Sequence, residues 1–345
     1  MLKILTIVIP TYNMESYLHK CLDSLIVSEE FRHQMEVLVI NDGSKDHSSE
    51  IAHSYQEKYP ETFRVIDKRN GNYGSCVNRG LKEATGKYIK ILDADDSFQR
   101  ENLSALITLL ADIDVDAVIT DYITVGSDDT QKEEKKYSIP QMQELLFREE
   151  QHKLYKIQMH ALTYRTQMLR DINYEQTEGI SYTDQEWTCI GLSSSITLFY
   201  YPHVIYRYLV EREGRTMAPE QFYKAASQWL LIANRLLDYK LDIPEASSFV
   251  DFRVFDLYYD IYIASLFRGG LDNETLIKMD RHIKKLDEKM YERLGLSSFS
   301  LQPIIADWRE NRYHISSLMM FKLKMIKMKR RYLPWLKLGI NFKGE

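Results

Sequence analysis

A cluster of carboxylates follows an apolar, strand-like segment near residue 90. The segment is Tyr88 to Leu92, and the chain continues with Asp93-Ala94-Asp95-Asp96. Carboxylate oxygens are the ligands that hard divalent cations such as Mg²⁺ and Mn²⁺ prefer, and such ions often bind a phosphorylated ligand through one or two protein carboxylates. The cluster therefore suits a cation that carries phosphates, although an acidic strand end is also a common form of solvated turn.

Two apolar segments nearer the N-terminus also end in polar loops. Ile4 to Ile9 is followed by Pro10-Thr11-Tyr12-Asn13, and Val37 to Ile40 is followed by Asn41-Asp42-Gly43-Ser44. A helical pattern follows each loop, and Asn13 is expected to cap the first helix. Loops at the carboxyl ends of parallel strands meet in one crevice of an open α/β sheet, where ligands bind. We therefore expect both loops to lie beside the carboxylate cluster.

A third strand and a glycine-rich loop complete this series. The strand is Phe63 to Asp67, the loop is Asn70 to Gly74, and a short helical pattern runs through Asn78. Repetition of strand, loop and helix predicts an α/β sheet flanked by helices.

These motifs, in this order and at these spacings, resemble those of family 2 glycosyltransferases of the GT-A fold. The resemblance is strong over about the first hundred residues, looser to about Arg215, and absent beyond. It implies a catalytic domain over residues 1–215, built on a mostly parallel, Rossmann-like sheet. The helical patterns that follow predict a smaller helical domain over residues 216–345. The matching motifs are Val8-Ile9-Pro10-Thr11-Tyr12-Asn13, Val39-Ile40-Asn41-Asp42-Gly43-Ser44, Asn70-Gly71, Asn78-Arg79-Gly80-Leu81, Ala84-Thr85-Gly86-Lys87-Tyr88 and Asp93-Ala94-Asp95-Asp96.

The resemblance also implies a role for each loop. Asp42 would accept a hydrogen bond from the imide N–H of a uracil base. Asp95 would contact the metal, Mg²⁺ or Mn²⁺, while Asp93 would lie nearer the ribose or a metal-bound water. Asp96 is open between a place in this site and the N-cap of a helix predicted around Asn102 to Leu110. The residues implied to bind the nucleotide are Pro10, Thr11, Tyr12, Asn13, Asp42, Gly43, Asn70, Gly71, Asn78, Asp93 and Ala94.

A catalytic base is expected in the segment Thr183-Asp184-Gln185-Glu186-Trp187. Asp184 matches the base position of the family, but Thr183 replaces the acidic residue that usually precedes it, so Glu186 is a second candidate. The positive end of a helix dipole would keep the base ionised, although acidic residues also favour a first helical turn for that reason alone. Trp187 could stack on an acceptor sugar or belong to the core.

A loop near residue 212 is a candidate contact for the diphosphate. Arg212 and Arg215 lie in a segment similar to the flexible loop that follows the catalytic residues of bacterial polysaccharide transferases. Either arginine could cover the diphosphate, or the loop could simply be solvated.

Composition is typical of a cytoplasmic enzyme. The chain has 345 residues, 44% of them hydrophobic, and a net charge of -5, which argues against broad binding of nucleic acids. Cys21, Cys76 and Cys189 lack the spacing of metal ligands and are expected to be reduced thiols. We see neither a signal peptide nor an apolar run long enough to span a membrane.

Long helical patterns dominate after Thr216 and predict a helix bundle or an oligomer interface. The final helical segment, about residues 318–343, is basic: from Lys322 to Lys343 it has eight basic residues and no acidic one. Such a helix could hold the protein peripherally at the inner face of the cell membrane through anionic lipid, or it could pack on its own domain.

The function implied by the resemblance is that of an inverting, metal-dependent glycosyltransferase. It would move a sugar from a nucleoside diphosphate, expected to be UDP, to a hydroxyl of a bacterial surface glycan or a lipid-linked saccharide. The alternative is a binding or scaffold subunit with a transferase fold that is active only with a partner. Retention of Asp42, Asp93, Asp95 and a candidate base favours the enzyme.

Overall fold

A computed structural model describes most of the chain. The described residues are 3–211, 225–242, 248–296 and 304–315. Arg212, Arg215 and the predicted membrane helix at residues 318–343 lie outside them.

Four parallel strands form the N-terminal half of the sheet. They are β1 (Leu5–Thr11), β2 (Met35–Asn41), β3 (Phe63–Asp67) and β4 (Tyr88–Ile91). Their order across the sheet is β3-β2-β1-β4, and every neighbouring pair is parallel. β1, β2 and β4 are buried along their whole length, as expected for parallel strands that are covered on both faces.

Six further strands extend the sheet and make it mixed. They are β5 (Ser97–Phe98), β6 (Ala117–Val125), β7 (Gln131–Lys135), β8 (Glu144–Leu146), β9 (Leu162–Arg165) and β10 (Thr197–Leu209). The order continues from β4 as β9-β6-β10-β5, while β7 pairs with β6 and β8 with β10. β9 is antiparallel to both β4 and β6, and β6 and β10 are parallel. The predicted α/β fold is confirmed.

Helices flank this sheet. The first helix, Glu15–Asp23, buries Leu18, Cys21 and Leu22, a spacing that places an apolar stripe on one face. A turn of π-helix, Trp187–Gly191, directly follows the helix Asp184–Glu186. The helices up to residue 200 are α1 (Glu15–Asp23), α2 (Glu29–Gln34), α3 (Ser48–Lys58), α4 (Asn72–Glu83), α5 (Arg100–Asp112), α6 (Phe147–Glu150), α7 (Thr166–Asp171) and α8 (Asp184–Glu186).

One polar surface segment contains a strand. Residues Ser127 to Lys136 are almost all polar, a composition typical of a surface loop, but Gln131–Lys135 forms β7. The side chains of this strand remain largely exposed, and its backbone pairs with Tyr122–Val125 of β6. Backbone pairing at a sheet edge does not require apolar side chains, and charged residues are common there.

The chain forms two compact units. The first is Met1–Gly214 with Asn234–Arg253, and the second is Arg215–Ala233 with Val254–Glu345. The predicted division of function at residue 215 stays a prediction. The later helices are α9 (Ala226–Asp242), α10 (Ser248–Arg268), α11 (Asn273–Leu286), α12 (Glu288–Leu296) and α13 (Ile304–Glu310).

The second unit has its own buried polar centre. Asp280 is fully buried and accepts hydrogen bonds from the Tyr262 hydroxyl at 2.5 Å and from Nε of Arg309 at 2.7 Å. Asp287 separates α11 from α12. Its carboxylate accepts a bond from the Met290 amide at the start of α12. Within the described ranges, none of the helices combines the length and apolar character needed to cross a bilayer.

Candidate functional site

The loop after β4 turns one of its carboxylates into the protein. Asp96 is 2% exposed and accepts a bond at 2.6 Å from the Tyr206 hydroxyl and one at 2.7 Å from the Leu209 amide. Helix α5 begins after Gln99 without a side-chain cap, so the interpretation of Asp96 as its N-cap is wrong. Asp96 belongs to the buried side of the candidate site.

Asp93 and a histidine complete a three-residue cluster with Asp96. Asp93 accepts a bond from the Tyr73 hydroxyl at 2.7 Å. One carboxylate oxygen of each aspartate and one ring nitrogen of His160 lie within 4.8 Å of one another. On an octahedral ion with bonds of about 2.1 Å, opposite ligands are about 4.2 Å apart and adjacent ligands about 3.0 Å apart. The three groups would therefore have to move closer together to share a single ion.

The electrostatics of this cluster fit a divalent cation. Burial and the charges of Asp95 and Asp93 raise the pKa of Asp96 well above its usual range. Burial, together with the charge of Lys90, lowers the pKa of His160 to about 3, so its imidazole is neutral. Nδ1 of His160 is buried and has no hydrogen-bond partner among the residues that the structure describes. Two repelling carboxylates and a neutral, unsatisfied imidazole are donors that a cation would satisfy.

Asp95, the predicted direct metal ligand, is half-buried beside this cluster. Its charge acts on Asp96 and on Cys21, which confirms its proximity to the buried carboxylate but gives no ligand geometry. The assignment of Asp95 to the metal therefore stays a prediction.

A buried lysine lies beneath the cluster and was not predicted. Nζ of Lys90 donates to the backbone oxygens of His160 at 2.8 Å and Leu162 at 3.1 Å. Lys90 is fully buried, and burial lowers its pKa to about 7. A lysine inside the otherwise apolar β4, just before four residues rich in carboxylates, was the available sequence signal.

Asp42 lies at the end of β2 and is tied to the loop after β3. Its Oδ1 accepts a bond from the Gly71 amide at 3.0 Å and forms an ion pair with Lys68. Asn70 donates to the backbone oxygen of Asp42 at 3.0 Å. Gly43 has φ +73°, a conformation that favours glycine, and an added Cβ would lie 3.3 Å from the Lys68 oxygen. These contacts bring Asp42, Gly43, Asn70 and Gly71 together, as predicted for one nucleotide-binding edge.

The loop after β1 contacts the loop after β2. The Asn13 amide donates to Oγ of Ser44 at 3.0 Å, and Oδ1 of Asn13 accepts from the Lys45 amide at 2.8 Å. Helix α1 begins after Met14 without a side-chain cap, so the predicted capping role of Asn13 is wrong. Pro10 and Thr11 are buried, whereas Tyr12 is 43% exposed. Tyr12 is therefore the accessible aromatic surface of this loop.

Asn78 connects α4 to the segment before Asp184. Its Nδ2 donates to the Gln176 oxygen at 2.9 Å and to Glu178 at 3.0 Å, and its Oδ1 accepts from the Gln176 amide at 2.7 Å. Asn70, Gly71 and Asn78 line one cavity of about 650 Å³. The geometry gives Asn78 a positioning role, and its predicted contact with the nucleotide stays a prediction.

Asp184 begins α8 and lies half-buried near the acidic cluster. Burial raises the pKa of Asp184 to about 6, against the opposing effects of the Arg253 charge and a hydrogen bond from Gln185. Burial raises the pKa of the Tyr73 hydroxyl, and the charges of Asp93 and Asp184 raise it further. Both carboxylates thus lie close to one tyrosine, which the sequence analysis did not select as a site residue.

Glu186, the second candidate base, is fully buried. Its carboxylate accepts bonds from the Thr177 amide at 2.7 Å, the Thr177 hydroxyl at 2.6 Å and Nη1 of Arg235 at 2.9 Å. Both carboxylate oxygens are engaged in these internal bonds. Glu186 therefore stabilises the turn that contains Asp184. Asp184 is the more accessible of the two acids.

The prediction that Trp187 stacks on an acceptor sugar is wrong, and its alternative, a place in the core, describes the structure. Trp187 is fully buried, with its ring edge-on to Tyr164 at 5.0 Å and to Tyr174 at 5.6 Å between centroids. Its two faces are covered by protein, so a sugar has no access to them.

Known proteins match parts of this sequence. Residues 6–175 match the family described as Glycosyl transferase family 2. The uncharacterized glycosyltransferase MG025 of Mycoplasma genitalium is 41% identical over 99 residues, which are 28% of this chain and 33% of that protein. The minor teichoic acid biosynthesis protein GgaB of Bacillus subtilis is 37% identical over 91 residues, 26% of this chain and 10% of that protein.

A solved structure resembles almost the whole chain. Residues 1–349 of TarS from S. aureus, crystallised with UDP-GlcNAc, superpose with a TM-score of 0.63 at 20% identity, covering 95% of this chain and 92% of that one. This likeness establishes a common fold. By contrast, the chain spans about a third of the length of the first curated relatives that it matches. Residues 6–175, just under half of the chain, are a glycosyl transferase family 2 domain.

Proposed function

We propose that this chain is an inverting, metal-dependent glycosyltransferase that moves a sugar from a UDP-sugar to a hydroxyl of a bacterial surface glycan or a lipid-linked saccharide. The observation that carries the proposal is the position of Asp184. It is a half-buried acid with a pKa of about 6 whose charge acts, together with that of Asp93, on the Tyr73 hydroxyl. A candidate base and a candidate metal centre therefore share one part of the molecule.

The donor nucleotide is assigned to the loops after β1, β2 and β3. Tyr12 offers an exposed ring on which a base can stack. Two donors to Oδ1, Lys68 and the Gly71 amide, fix the orientation of the Asp42 carboxylate, which in this proposal accepts the imide N–H of uracil. The TarS structure supports the choice of donor, because that protein was crystallised with UDP-GlcNAc.

Asp93, Asp95 and Asp96 are the carboxylates available to hold Mg²⁺ or Mn²⁺. When bound, the ion would neutralise charge on the departing diphosphate. Tyr73 and Tyr206 orient Asp93 and Asp96 through their hydroxyls. Arg212 and Arg215, outside the described residues, remain the proposed additional contacts of the diphosphate.

Asp184 is the proposed general base. In the transfer step its carboxylate takes the proton of the acceptor hydroxyl while that oxygen bonds to the anomeric carbon. The bond from this carbon to the diphosphate oxygen breaks at the same time, the anomeric configuration inverts, and the nucleoside diphosphate leaves. A carboxyl with a pKa of about 6 is roughly nine-tenths ionised at pH 7 and is a stronger base than an ordinary aspartate.

The acceptor class is supported by a relative and by the basic C-terminal segment. GgaB is named for the biosynthesis of minor teichoic acid, which is a surface polymer. The basic segment at residues 318–343 would hold the protein at the cytoplasmic face of the membrane, where lipid-linked acceptors are exposed.

The metal assignment is tested by thermal unfolding with UDP. Mn²⁺ and UDP together should raise the melting temperature of the wild-type protein, because a ligand that binds only the folded state stabilises it. Asp95→Ala should lose this increase, whereas Asp112→Ala, at an exposed aspartate that ends α5, should retain it. An undiminished increase in Asp95→Ala would remove Asp95 from the metal site.

A further inference from the structure

We propose that His160 supplies a nitrogen ligand to the divalent cation, so that the site selects a first-row transition ion such as Mn²⁺ over Mg²⁺. The inference rests on the metal dependence in the proposed function. The sequence motif alone implied a site made only of oxygen ligands. The structure adds an imidazole to it, from a segment about 65 residues after the carboxylates.

The packing of His160 fixes its ring beside the carboxylates. The ring stacks on Tyr208 at 4.4 Å between centroids, meets Tyr206 edge-on at 4.7 Å, and lies 5.1 Å from Tyr122. The Tyr206 hydroxyl also donates to Asp96. One tyrosine therefore positions both an imidazole and a carboxylate of the cluster, and the imidazole has little freedom to turn away.

The unsatisfied ring nitrogen of His160 also indicates a ligand. His160 is 7% exposed, and its Nδ1 lacks a hydrogen-bond partner within the described part of the chain. A buried polar atom without a partner is costly, so native proteins usually satisfy such atoms with protein, water or an ion. A ring nitrogen within 4.8 Å of two carboxylate oxygens is in reach of a shared cation.

The donor set decides which cation is favoured. Mg²⁺ requires a near-ideal octahedron of oxygens and retains its waters, whereas imidazole favours first-row transition ions, among which Mn²⁺ also suits carboxylate oxygens. Two carboxylates and one imidazole leave other coordination positions for water and for diphosphate oxygens. Mn²⁺ accepts this mixed set and retains affinity for phosphate.

Electron spin echo spectroscopy of bound Mn²⁺ tests the proposal directly, because a coordinated ¹⁴N nucleus modulates the echo. The sample is full-length protein with Mn²⁺ and UDP. The wild type should show ¹⁴N modulation, which should vanish in His160→Phe, a variant that keeps an aromatic ring among the three tyrosines. The matched control, His152→Phe, changes an exposed histidine and should keep the signal. We also expect His160→Phe to weaken Mn²⁺ binding about tenfold or more and Mg²⁺ binding by less than about threefold.

Each contrary result has a distinct meaning. If Mn²⁺ binds the wild type without ¹⁴N modulation, His160 is not a ligand and its ring nitrogen bonds to water instead. That result would leave the proposed transferase function intact. Modulation that persists in His160→Phe would equally overturn the role of His160. Failure of the wild type to bind Mn²⁺ with UDP would instead refute the metal dependence itself. The wild-type spectrum decides the question even if the variant fails to fold.

Discussion

Replacing Glu186 by glutamine separates the two acids that the sequence offered as a base. Glu186 is fully buried and bonded to Thr177 and Arg235, whereas Asp184 is half-buried near the acidic cluster. We therefore expect Glu186→Gln to lower stability and to leave catalysis at low temperature nearly unchanged. Asp184→Asn should lower catalysis and leave stability nearly unchanged.

The size of the stability loss follows from the bonds of Glu186. Its carboxylate accepts three hydrogen bonds, at 2.6, 2.7 and 2.9 Å. A glutamine has one acceptor oxygen, so its amide nitrogen must face at least one of these donors. A hydrogen bond to a charged group contributes about 1.5–3 kcal/mol. Arg235 keeps its bond to the Thr177 hydroxyl and is 36% exposed, so solvent limits the penalty on its side.

These terms give a loss of about 2–4 kcal/mol in the free energy of unfolding. For a unit of this size the melting temperature should fall by roughly 4–16 °C. Asp184→Asn should not destabilise the fold, because burial already disfavours the charged form of Asp184, as its raised pKa indicates. The same variant should lower transfer about 10²-fold or more, since an amide cannot take the proton.

The assay compares thermal unfolding and initial rates for both variants and for a control. Glu175→Gln is that control, since Glu175 is exposed and only its backbone oxygen contacts Arg235. If Glu186→Gln unfolds at the wild-type temperature and loses turnover while Asp184→Asn retains it, Glu186 is the base and the reasoning fails.

Three further predictions concern the base, the nucleotide and the C-terminal segment. The rate of sugar transfer should fall tenfold per pH unit below about pH 6, where Asp184 becomes protonated. Initial rates between about pH 5 and 8 measure this dependence, and a rate that does not change with pH would contradict it. Asp42→Ala should weaken UDP binding in calorimetry even without metal, because the proposed partner of Asp42 is the uracil ring. Equal affinity of wild type and variant for UDP would exclude that contact. Truncation after Ser317 should abolish sedimentation with anionic liposomes, at about 1 kcal/mol for each engaged basic residue, and should spare hydrolysis of the donor. If the full-length protein does not sediment with such liposomes at low salt, the acceptor need not be at a membrane.

The positions of the loops could be predicted from sequence because they depend on local patterns. Apolar runs that end in polar residues mark the carboxyl ends of β1, β2 and β4, and parallel pairing brings these ends to one edge. Strand β3 has its predicted bounds, Phe63–Asp67, for the same reason.

The direction of each carboxylate could not be predicted, because it depends on distant residues. Asp96 turns inward to meet Tyr206, which lies 110 residues later in the chain. His160 reaches the cluster from a short turn with no periodic pattern, placed there because β9 pairs with both β4 and β6. Trp187 has apolar neighbours in sequence, but only packing against Tyr164 and Tyr174 distinguishes a core tryptophan from a sugar platform.

The central claim is that this chain turns over a UDP-sugar with Asp184 as its base. Its most direct test is the release of nucleoside diphosphate from a panel of UDP-, GDP-, ADP- and CMP-sugars in Mn²⁺, with CMP release scored for the last. Wild-type protein and Asp184→Asn are measured side by side. We predict release from at least one UDP-sugar that is about 10²-fold slower in the variant, although the variant binds UDP as tightly. Release confined to another nucleotide, or equal release by both proteins, would contradict the account.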